Sequence, residues 1–235
     1  MIDEKFGTKV WFETIDKKEA KDRAKYVLRP IKKYRRNAKK ILELGVGLGT
    51  VLKHFKGYEL YGLDLSEEAL KYAKKEVPEG KFVCSSMDNF MINSKFDVIF
   101  SVHGGVNELG KFSRWESTFR RVYNHLNEKG LFIFDTSTFK ILDYFKNKED
   151  TSCKRYLNGK YFIYYGAKVN KNILTWDYKI FERVGKGLFK LHEDDWNETS
   201  YPVERIKFAL SEKFSILEVK PMNDGKDVLF VCRKK

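Results

Sequence analysis

ILELGVGLG, residues 41–49, is the stretch of this 235-residue sequence that decides its fold. The stretch begins as a buried strand would, and Gly45, Gly47 and Gly49 follow where that strand turns toward a helix. Glycines at such a turn let the backbone bend tightly and let a ligand approach the main chain closely. Asp64 comes nineteen residues after Gly45, at the end of the next apolar run, where a carboxylate can bind both hydroxyls of an adenosine ribose. With a strand–helix–strand unit between them, the glycines and the acid predict a ribose-containing ligand.

Apolar runs recur along the first half of the chain, each followed by a turn and an amphipathic helical pattern. Near-continuous apolar runs of this length are typical of strands that are buried on both faces of a parallel sheet. Helices between the strands would then cover the two faces of that sheet. The pattern predicts a doubly wound α/β domain over residues 38–137. The runs are residues 41–44, 60–63, 82–84, 98–100 and 131–134.

Capping residues predict where two of the helices begin. Ser66 is a suitable N-cap for the helix after the second apolar run, because its side chain can accept a hydrogen bond from the first turn. Ser113 and Glu116 have the spacing of a capping box. Gly130 is expected to end the helix that this box begins.

The apolar period changes to two after residue 150, which is typical of antiparallel strands. Three or four such strands are predicted over residues 153–197, before a helix near residues 203–211 and two closing strands. Hairpin turns are expected at Asn158-Gly159, 169–172 and 184–187. The predicted organisation is an N-terminal helical cap (1–37), a core (38–150 and 198–235) and an antiparallel β insertion (151–197).

Composition limits the possible classes of protein. Hydrophobic residues make up 42% and aromatic residues 15% of the chain, which excludes intrinsic disorder. No apolar run approaches the roughly 20 residues that span a bilayer, and the first residues do not resemble a signal peptide. Cys84, Cys153 and Cys232 are scattered and form no metal-type pair. We therefore expect a cytoplasmic protein with no membrane partner and no metal.

The net charge of +13 is concentrated in one segment. Residues 17–40 hold twelve bases and two acids, so they contribute 12 − 2 = +10. This segment is either a nucleic-acid patch or the solvated face of a helix that Pro30 ends or kinks. An apolar stripe at helical spacing favours the second interpretation. The stripe is Ala20, Ala24, Val27, Leu28 and Ile31.

The sequence resembles the class I S-adenosylmethionine-dependent methyltransferases. Their first motif is an acid, one residue and then Gly-x-Gly-x-Gly, as in residues 43–49, whereas nicotinamide enzymes space the third glycine one residue later. The resemblance continues in order through YGLDLSEEAL, CSSMDNF, FDVIFSVHGGVNEL and LNEKGLFIFDT, over residues 41–137. It implies S-adenosylmethionine as the cofactor. It also implies a Rossmann-like, doubly wound, mostly parallel seven-stranded sheet with an antiparallel β insertion before the last helix and strands.

The resemblance implies cofactor contacts at the ends of the first four strands. These residues are Glu43, Gly45, Gly47 and Gly49 for the methionine half, Asp64 for the ribose, Leu65, Met87 and Asp88 for the adenine, and Ser101, Val102 and His103 for the rim beside the sulfonium.

Candidate acceptor contacts follow from position. Methyl transfer from a sulfonium depends mostly on in-line placement, and a general base is needed only if the acceptor must lose a proton. His103 is the candidate base, with a substrate contact or plain packing as alternatives. His192 could reach over the site from the insertion, although a solvated loop is the alternative. In a leading helical segment, Trp11 and Tyr26 are further substrate-binding candidates, with packing as the alternative.

The acceptor class follows partly from missing motifs. Residues 101–105 lack the Asn/Asp-Pro-Pro-aromatic motif of enzymes that methylate exocyclic amines of bases, and the rim has no cysteine for five-carbon cytosine methylation. SVHGGVNEL before a β insertion resembles the small-molecule N-methyltransferases of the glycine/sarcosine and amino-sugar type. We therefore expect methyl transfer to a small molecule at nitrogen, with oxygen as the alternative atom, by a monomer or homodimer. The alternatives are an RNA or protein methyltransferase that uses the basic segment, and a non-catalytic S-adenosylmethionine-binding module.

Overall fold

The computed structural model describes residues 2–146, the backbone of 153–157, and 159–235. The helices are α1 (Glu4–Thr14), α2 (Lys17–Tyr34), α3 (Glu67–Glu76), α4 (Phe112–His125), α5 (Phe139–Lys146) and α6 (Val203–Ser211). The strands are β1 (Lys40–Leu44), β2 (Glu59–Asp64), β3 (Lys81–Cys84), β4 (Phe96–Ser101), β5 (Leu126–Ser137), β6 (Cys153–Leu157), β7 (Tyr161–Asn170), β8 (Ile173–Gly185), β9 (Leu188–Thr199), β10 (Phe214–Met222) and β11 (Asp227–Lys234). Short 3₁₀ helices are Leu52–His54, Gly105–Leu109 and Asn223–Gly225.

The central sheet has seven strands in the order β10-β11-β5-β4-β1-β2-β3. The five strands from β5 to β3 pair in parallel, and β11 and β10 close the sheet antiparallel. A second, antiparallel sheet of β6 to β9 lies in the chain before α6 and the last two strands. The predicted fold class is therefore confirmed.

The strand order determines at which edge of the central sheet a ligand can bind. The connections run outward in opposite directions from β1 and β4, which are neighbours in the sheet. Beyond the carboxyl ends of such a pair the following loops separate and leave a crevice, where ligands bind in open α/β sheets. The glycine-rich turn follows β1 and residues 101–110 begin at the end of β4, so both lie at this crevice.

Two apolar layers hold the helices on the central sheet. On one face, Trp115 and Phe119 of α4 pack in the same buried cluster as Phe132 of β5. On the other face, Val27 and Ile31 of α2 pack in a cluster with strand residues. Full burial of each such side chain contributes about 1.5–3 kcal/mol, so these stripes are what hold the helices in place.

The basic segment forms α2, and the predicted apolar stripe faces the sheet. Ala20, Ala24, Val27 and Ile31 are at most 3% exposed, while Leu28 is partly buried. The helix continues through Pro30 to Tyr34, so of the two predicted effects of Pro30, an end or a kink, the end of the helix was wrong. Proline inside a helix removes one backbone donor and crowds the carbonyl four residues earlier, and here Pro30 is buried.

Helix caps agree with the sequence at α3 and disagree at α4. The Ser66 side chain accepts the Ala69 N–H at 3.0 Å, which confirms the predicted cap. The capping box of Ser113 was wrong, because α4 begins at Phe112 and places Ser113 inside its first turn. Gly130 does not end α4 either, since β5 already begins at Leu126.

The second sheet consists of three consecutive hairpins. The turns predicted at 169–172 and 184–187 are confirmed, since β7 ends at Asn170 and β8 at Gly185. Asn158 lies outside the described residues, while Gly159 between β6 and β7 has the left-handed φ of 70°. Helix α1 packs on this sheet through Val10, which is buried with Tyr161, Ile163 and Ile180.

Membrane-spanning segments were sought among the helices of the described ranges. Each of these helices is too short or too polar to cross a bilayer.

Candidate functional site

The turn after β1 requires its glycines. Gly45, Gly47 and Gly49 have φ of 69°, 50° and 74°, a region that L side chains rarely adopt. A Cβ on Gly47 would lie 2.6 Å from Cη2 of Trp11, and one on Gly49 would lie 2.9 Å from the Cα of Ala73. The turn therefore passes closely under Trp11 on one side and against α3 on the other.

Asp64, at the end of β2, supports this turn directly. Its Oδ2 accepts the Gly47 N–H at 2.8 Å, and its Oδ1 accepts the Ser66 N–H at 3.0 Å. These two bonds orient the carboxylate between the glycine turn and the start of α3. The next residue, Leu65, is 68% exposed, so it offers an open apolar surface beside Asp64.

Glu43 provides a buried carboxylate below the glycine turn. It is 3% exposed, and among the described residues its Oε2 has no hydrogen-bond partner. Burial raises the Glu43 pKa well above its usual range, and the negative charge of Asp64 raises it further. A buried carboxyl beside a second acid is stabilised by a cation. The residues present thus fit a ligand that carries an ammonium group near Glu43 and a ribose near Asp64.

The predicted adenine contacts have different surroundings. A Cβ on Gly45 would lie 3.5 Å from Cε of Met87, so Met87 borders the glycine turn. The Asp88 carboxylate is bound by Arg114 of α4, through Nε at 2.5 Å and Nη2 at 3.2 Å. These hydrogen bonds lower the Asp88 pKa. Asp88 is therefore a charged group held in place by α4 rather than a free side chain.

The rim after β4 is held by a buried acid of β5. Asp135 is 4% exposed and accepts the backbone N–H groups of His103 at 3.0 Å and Gly104 at 2.7 Å. His103 has a φ of 70°, which is unusual for a residue with a side chain. Arg23 of α2 approaches Asp135 at 3.6 Å. The carboxylate thus stabilises a strained turn at the crevice.

His103 is an exposed residue at this rim. Its side chain is open to solvent, yet the surrounding protein and the Arg23 charge lower the pKa of His103 to about 4. His103 is therefore neutral at pH 7. Ser101 and Val102, which precede it, are buried, and Ser101 Oγ has no hydrogen-bond partner within the described ranges.

The second sheet is bonded to this rim. Asn107 is fully buried, and its Nδ2 donates to the Thr199 carbonyl of β9 at 3.0 Å. Its Oδ1 accepts the Ser137 N–H at 3.1 Å. The Tyr201 hydroxyl, just after β9, donates to the Gly110 carbonyl at 2.6 Å. Strand β9 therefore adjoins the crevice at a defined place.

The other predicted acceptor contacts divide into two groups. Trp11 lies over the glycine turn, as described above. Tyr26 lines a cleft of about 340 Å³ with Arg23 and Asp227, two residues whose charges also act on His103. His192 instead stacks on Phe6 of α1 at 4.0 Å and contacts Glu182 at 3.1 Å. Its contacts are those of the junction between α1 and the second sheet.

Four residues at the site were not predicted. Arg23 is one of many bases in α2, so the sequence did not distinguish it from the others. Asp135 was indicated only by its position at the end of a predicted strand. Glu108 and Glu198 are brought together by the contact between the rim and β9, which has no signal in the sequence.

Comparisons with known proteins match these elements. A family model described as a methyltransferase domain matches residues 41–130. A protein of Geobacillus sp. (strain WCH70) that bears a methyltransferase name is 28% identical over 225 residues, 89% of this chain and 90% of the relative. The dTDP-3-amino-3,4,6-trideoxy-alpha-D-glucopyranose N,N-dimethyltransferase of Streptomyces venezuelae is 28% identical over 100 residues, 42% of each protein.

Solved structures share the architecture. An S-adenosylmethionine-dependent methyltransferase from Clostridium acetobutylicum ATCC 824 has a TM-score of 0.81 and 20% identity, covering 94% of this chain and 92% of the other. DesVI of Streptomyces venezuelae has a TM-score of 0.77 and 18% identity, covering 92% of both chains. At these identities the likeness shows the fold.

The family match spans the glycine turn, Asp64 and the rim, which are the parts that the geometry brings together at the crevice. The fold, the glycine motif and the methyltransferase-domain match over residues 41–130 agree, and together they support a class I methyltransferase with S-adenosylmethionine as its cofactor.

Proposed function

We propose that this chain methylates a small-molecule amine. The observation that carries the proposal is the bonding of β9 to the rim through Asn107 and Tyr201. This contact puts the second sheet next to residues 107–110 at the crevice, so an acceptor that enters there would be bounded by β9 as well as by the rim. A recess bounded on two sides suits a small molecule better than a nucleic-acid strand.

The cofactor would be held as the family resemblance implies. Glu43 would pair with the ammonium, Asp64 would bind the ribose, and Leu65 and Met87 would contact the adenine. The cofactor supplies an activated methyl group on a sulfonium, so the protein needs mainly to align the acceptor. Asp88, held by Arg114, would remain near the adenine as a positioned charge.

The chain's own residues would orient the acceptor and limit water. Asp135 holds the His103–Gly104 turn in place. A pKa of about 4 makes His103 a weaker base than an ordinary histidine, so we propose it as an acceptor contact rather than the base. Trp11 and Tyr26 would close the site from the N-terminal cap.

Nucleic acid is the weaker alternative, because part of the basic charge of residues 17–40 is paired within the protein. Lys25 pairs with Asp22, Lys33 with Glu218, and Arg35 with Asp97. A surface whose lysines and arginines are neutralised within the protein offers fewer contacts to phosphates.

A labelled-methyl assay tests the proposal. The purified chain would be incubated with methyl-labelled S-adenosylmethionine and a dTDP-linked 3-amino sugar, its 3-hydroxy counterpart, simple amines and alcohols, or total tRNA. The amino sugar enters this panel because one relative is named for such a substrate. We expect label in amines. Label in tRNA alone, or in alcohols but not amines, would contradict the proposal.

A further inference from the structure

Glu108 is an acid without a partner in the middle of the site. It lies in the 3₁₀ helix Gly105–Leu109, directly after the β4 rim, and the residue is partly open to solvent. Within the described ranges, it has neither a side-chain hydrogen bond nor an ion pair. The fold around the rim therefore gives this carboxyl no structural role.

A second acid approaches it from β9. The Asn107 side chain donates a hydrogen bond to the Thr199 carbonyl. Glu108 follows Asn107 and Glu198 precedes Thr199 in the chain, so both acids lie at the junction that this bond forms. Glu198 Oε1 accepts the indole N–H of Trp176 at 2.9 Å, and Trp196 also donates to this carboxylate. The two indole rings stack with their centres 6.0 Å apart.

The electrostatics of this junction favour a cation. Burial raises the pKa of Glu108 to about 7, and the charges of Glu198 and Asp64 contribute to the increase. Burial also raises the Glu198 pKa. Positive charge is attracted to such a group of acids, and aromatic faces add to that attraction.

The charged residues of the other neighbouring elements do not neutralise Glu108. Arg114 of α4 is bound to Asp88 and donates to the Leu109 carbonyl at 3.3 Å. Asp135 of β5 is itself an acid, and its oxygens already accept the rim N–H groups. The cation that Glu108 lacks would therefore have to come from a ligand.

An independent feature of the same segment also indicates a ligand. The Ser101 residue is 1% exposed, and its Oγ is unpartnered among the residues that the structure describes. A Cβ on Gly105, the first residue of the Glu108-bearing helix, would lie 3.0 Å from this oxygen, so Ser101 Oγ adjoins that helix. An unsatisfied buried hydroxyl is unfavourable, and a polar ligand group would recover the lost hydrogen bond.

Resting on the proposed function, we propose that the acceptor enters as a protonated amine and that Glu108 is the catalytic residue that binds the ammonium and takes its proton. Glu198, oriented by Trp176 and Trp196, is a positioning residue that keeps the ammonium at this junction. In the step, one N–H bond breaks, its electron pair stays on nitrogen as the lone pair, and the proton moves to a carboxylate oxygen of Glu108. The proton leaves to water before the next turnover. A carboxyl that titrates near neutral pH suits this exchange.

The titration of Glu108 tests the proposal without an identified acceptor. Carbon NMR of protein labelled at the glutamate carboxyl, saturated with S-adenosylhomocysteine, would follow this group, with Glu108→Gln assigning its signal. We expect a midpoint near pH 7 that cyclohexylammonium chloride lowers and cyclohexanol does not. A midpoint in the ordinary glutamate range overturns the proposal.

Kinetics with matched variants test the role of Glu108. Glu108→Gln is expected to lower kcat/KM for amines by about 10²–10⁴-fold and to remove the limb of the pH profile near pH 7. Glu116→Gln, the same change on the exposed face of α4, should leave both unchanged. Glu198→Gln should raise KM more than it lowers kcat. Amine methylation that survives in Glu108→Gln overturns the proposal, whereas a wild type that does not bind S-adenosylhomocysteine contradicts the proposed function instead.

Discussion

Asp64 Oδ2 accepts the backbone N–H of Gly47 at 2.8 Å, so the acid that ends β2 is bonded to the middle glycine of the turn that ends β1. The two halves of the cofactor motif are thus one hydrogen-bonded unit. Gly47 has a left-handed φ and lies under Trp11, so a substitution of Gly47 or of Asp64 would alter the same surface.

The glycine turn should tolerate no side chain at position 47. Gly47→Ala places a Cβ 2.6 Å from the Trp11 ring and is expected to weaken binding of S-adenosylhomocysteine at least tenfold. Gly57→Ala is the matched control, because Gly57 also has a positive φ, of 82°, but has open space around its Cβ position. Calorimetric titration of both variants measures the difference. Equal affinities in the two variants would show that the close approach at Gly47 is irrelevant.

Asn107→Ala should destabilise the protein by roughly 2–4 kcal/mol, because it leaves buried groups of β5 and β9 without partners. Asn107 is fully buried and bonds both Thr199 and Ser137. Chemical denaturation measures the loss. Asn172→Ala, which removes one bond that a partly exposed side chain donates to the Ser200 carbonyl, should cost clearly less. If Asn107→Ala costs no more than this control, β9 is not anchored through Asn107.

Asp97 should make stability depend on acidity. Burial alone would raise its pKa, but hydrogen bonds from Lys39 N, Arg35, Asn127 and Lys40 N lower it to about 2. Its contribution is therefore full above the unfolded-state pKa near 4 and is lost as pH falls toward 2.

Asp97→Asn should accordingly lower the free energy of unfolding by roughly 1–3 kcal/mol at pH 6, and the difference from wild type should shrink between pH 4 and pH 2. Denaturation curves over this pH range provide the measurement. A difference that stays constant down to pH 2 would contradict the assignment.

The basic face of α2 should bind RNA weakly. We expect no specific binding of tRNA, and any association at low salt should show a shallow dependence on salt concentration, because several bases are paired within the protein. Fluorescence anisotropy at roughly 50 to 300 mM salt measures the slope, because counterion release has a large effect on binding in this range. A steep slope that flattens in Lys17→Gln/Lys18→Gln/Lys21→Gln would favour the nucleic-acid alternative.

The sequence carried enough information for the central sheet and the cofactor side of the site. Periodicity located β1 to β5, because strands buried on both faces are almost uniformly apolar. The glycine turn and Asp64 were predictable because a positive φ and a close ligand approach require particular residues. Local rules were less reliable at α4, where Ser113 fits a capping box but the helix begins one residue before it.

The acceptor side was less predictable, because it forms between distant parts of the chain. The charges of Glu108 and Glu198 influence each other only because β9 is bonded to the rim, and Arg23 reaches Asp135 only when α2 packs on the sheet. His192 shows the reverse, since its place in the sequence suggested the recess while its contacts lie with Phe6 and Glu182. Such juxtapositions depend on tertiary packing and leave no local pattern.

The most direct test of the central claim is calorimetric titration of the wild-type chain and Asp64→Ala with S-adenosylhomocysteine. Thermal unfolding would show whether the variant is folded. The account predicts one site per chain in the wild type and a loss of at least tenfold in affinity in the folded variant, with no binding of NAD⁺ by either. No binding to the wild type, or unchanged affinity in Asp64→Ala, would contradict it.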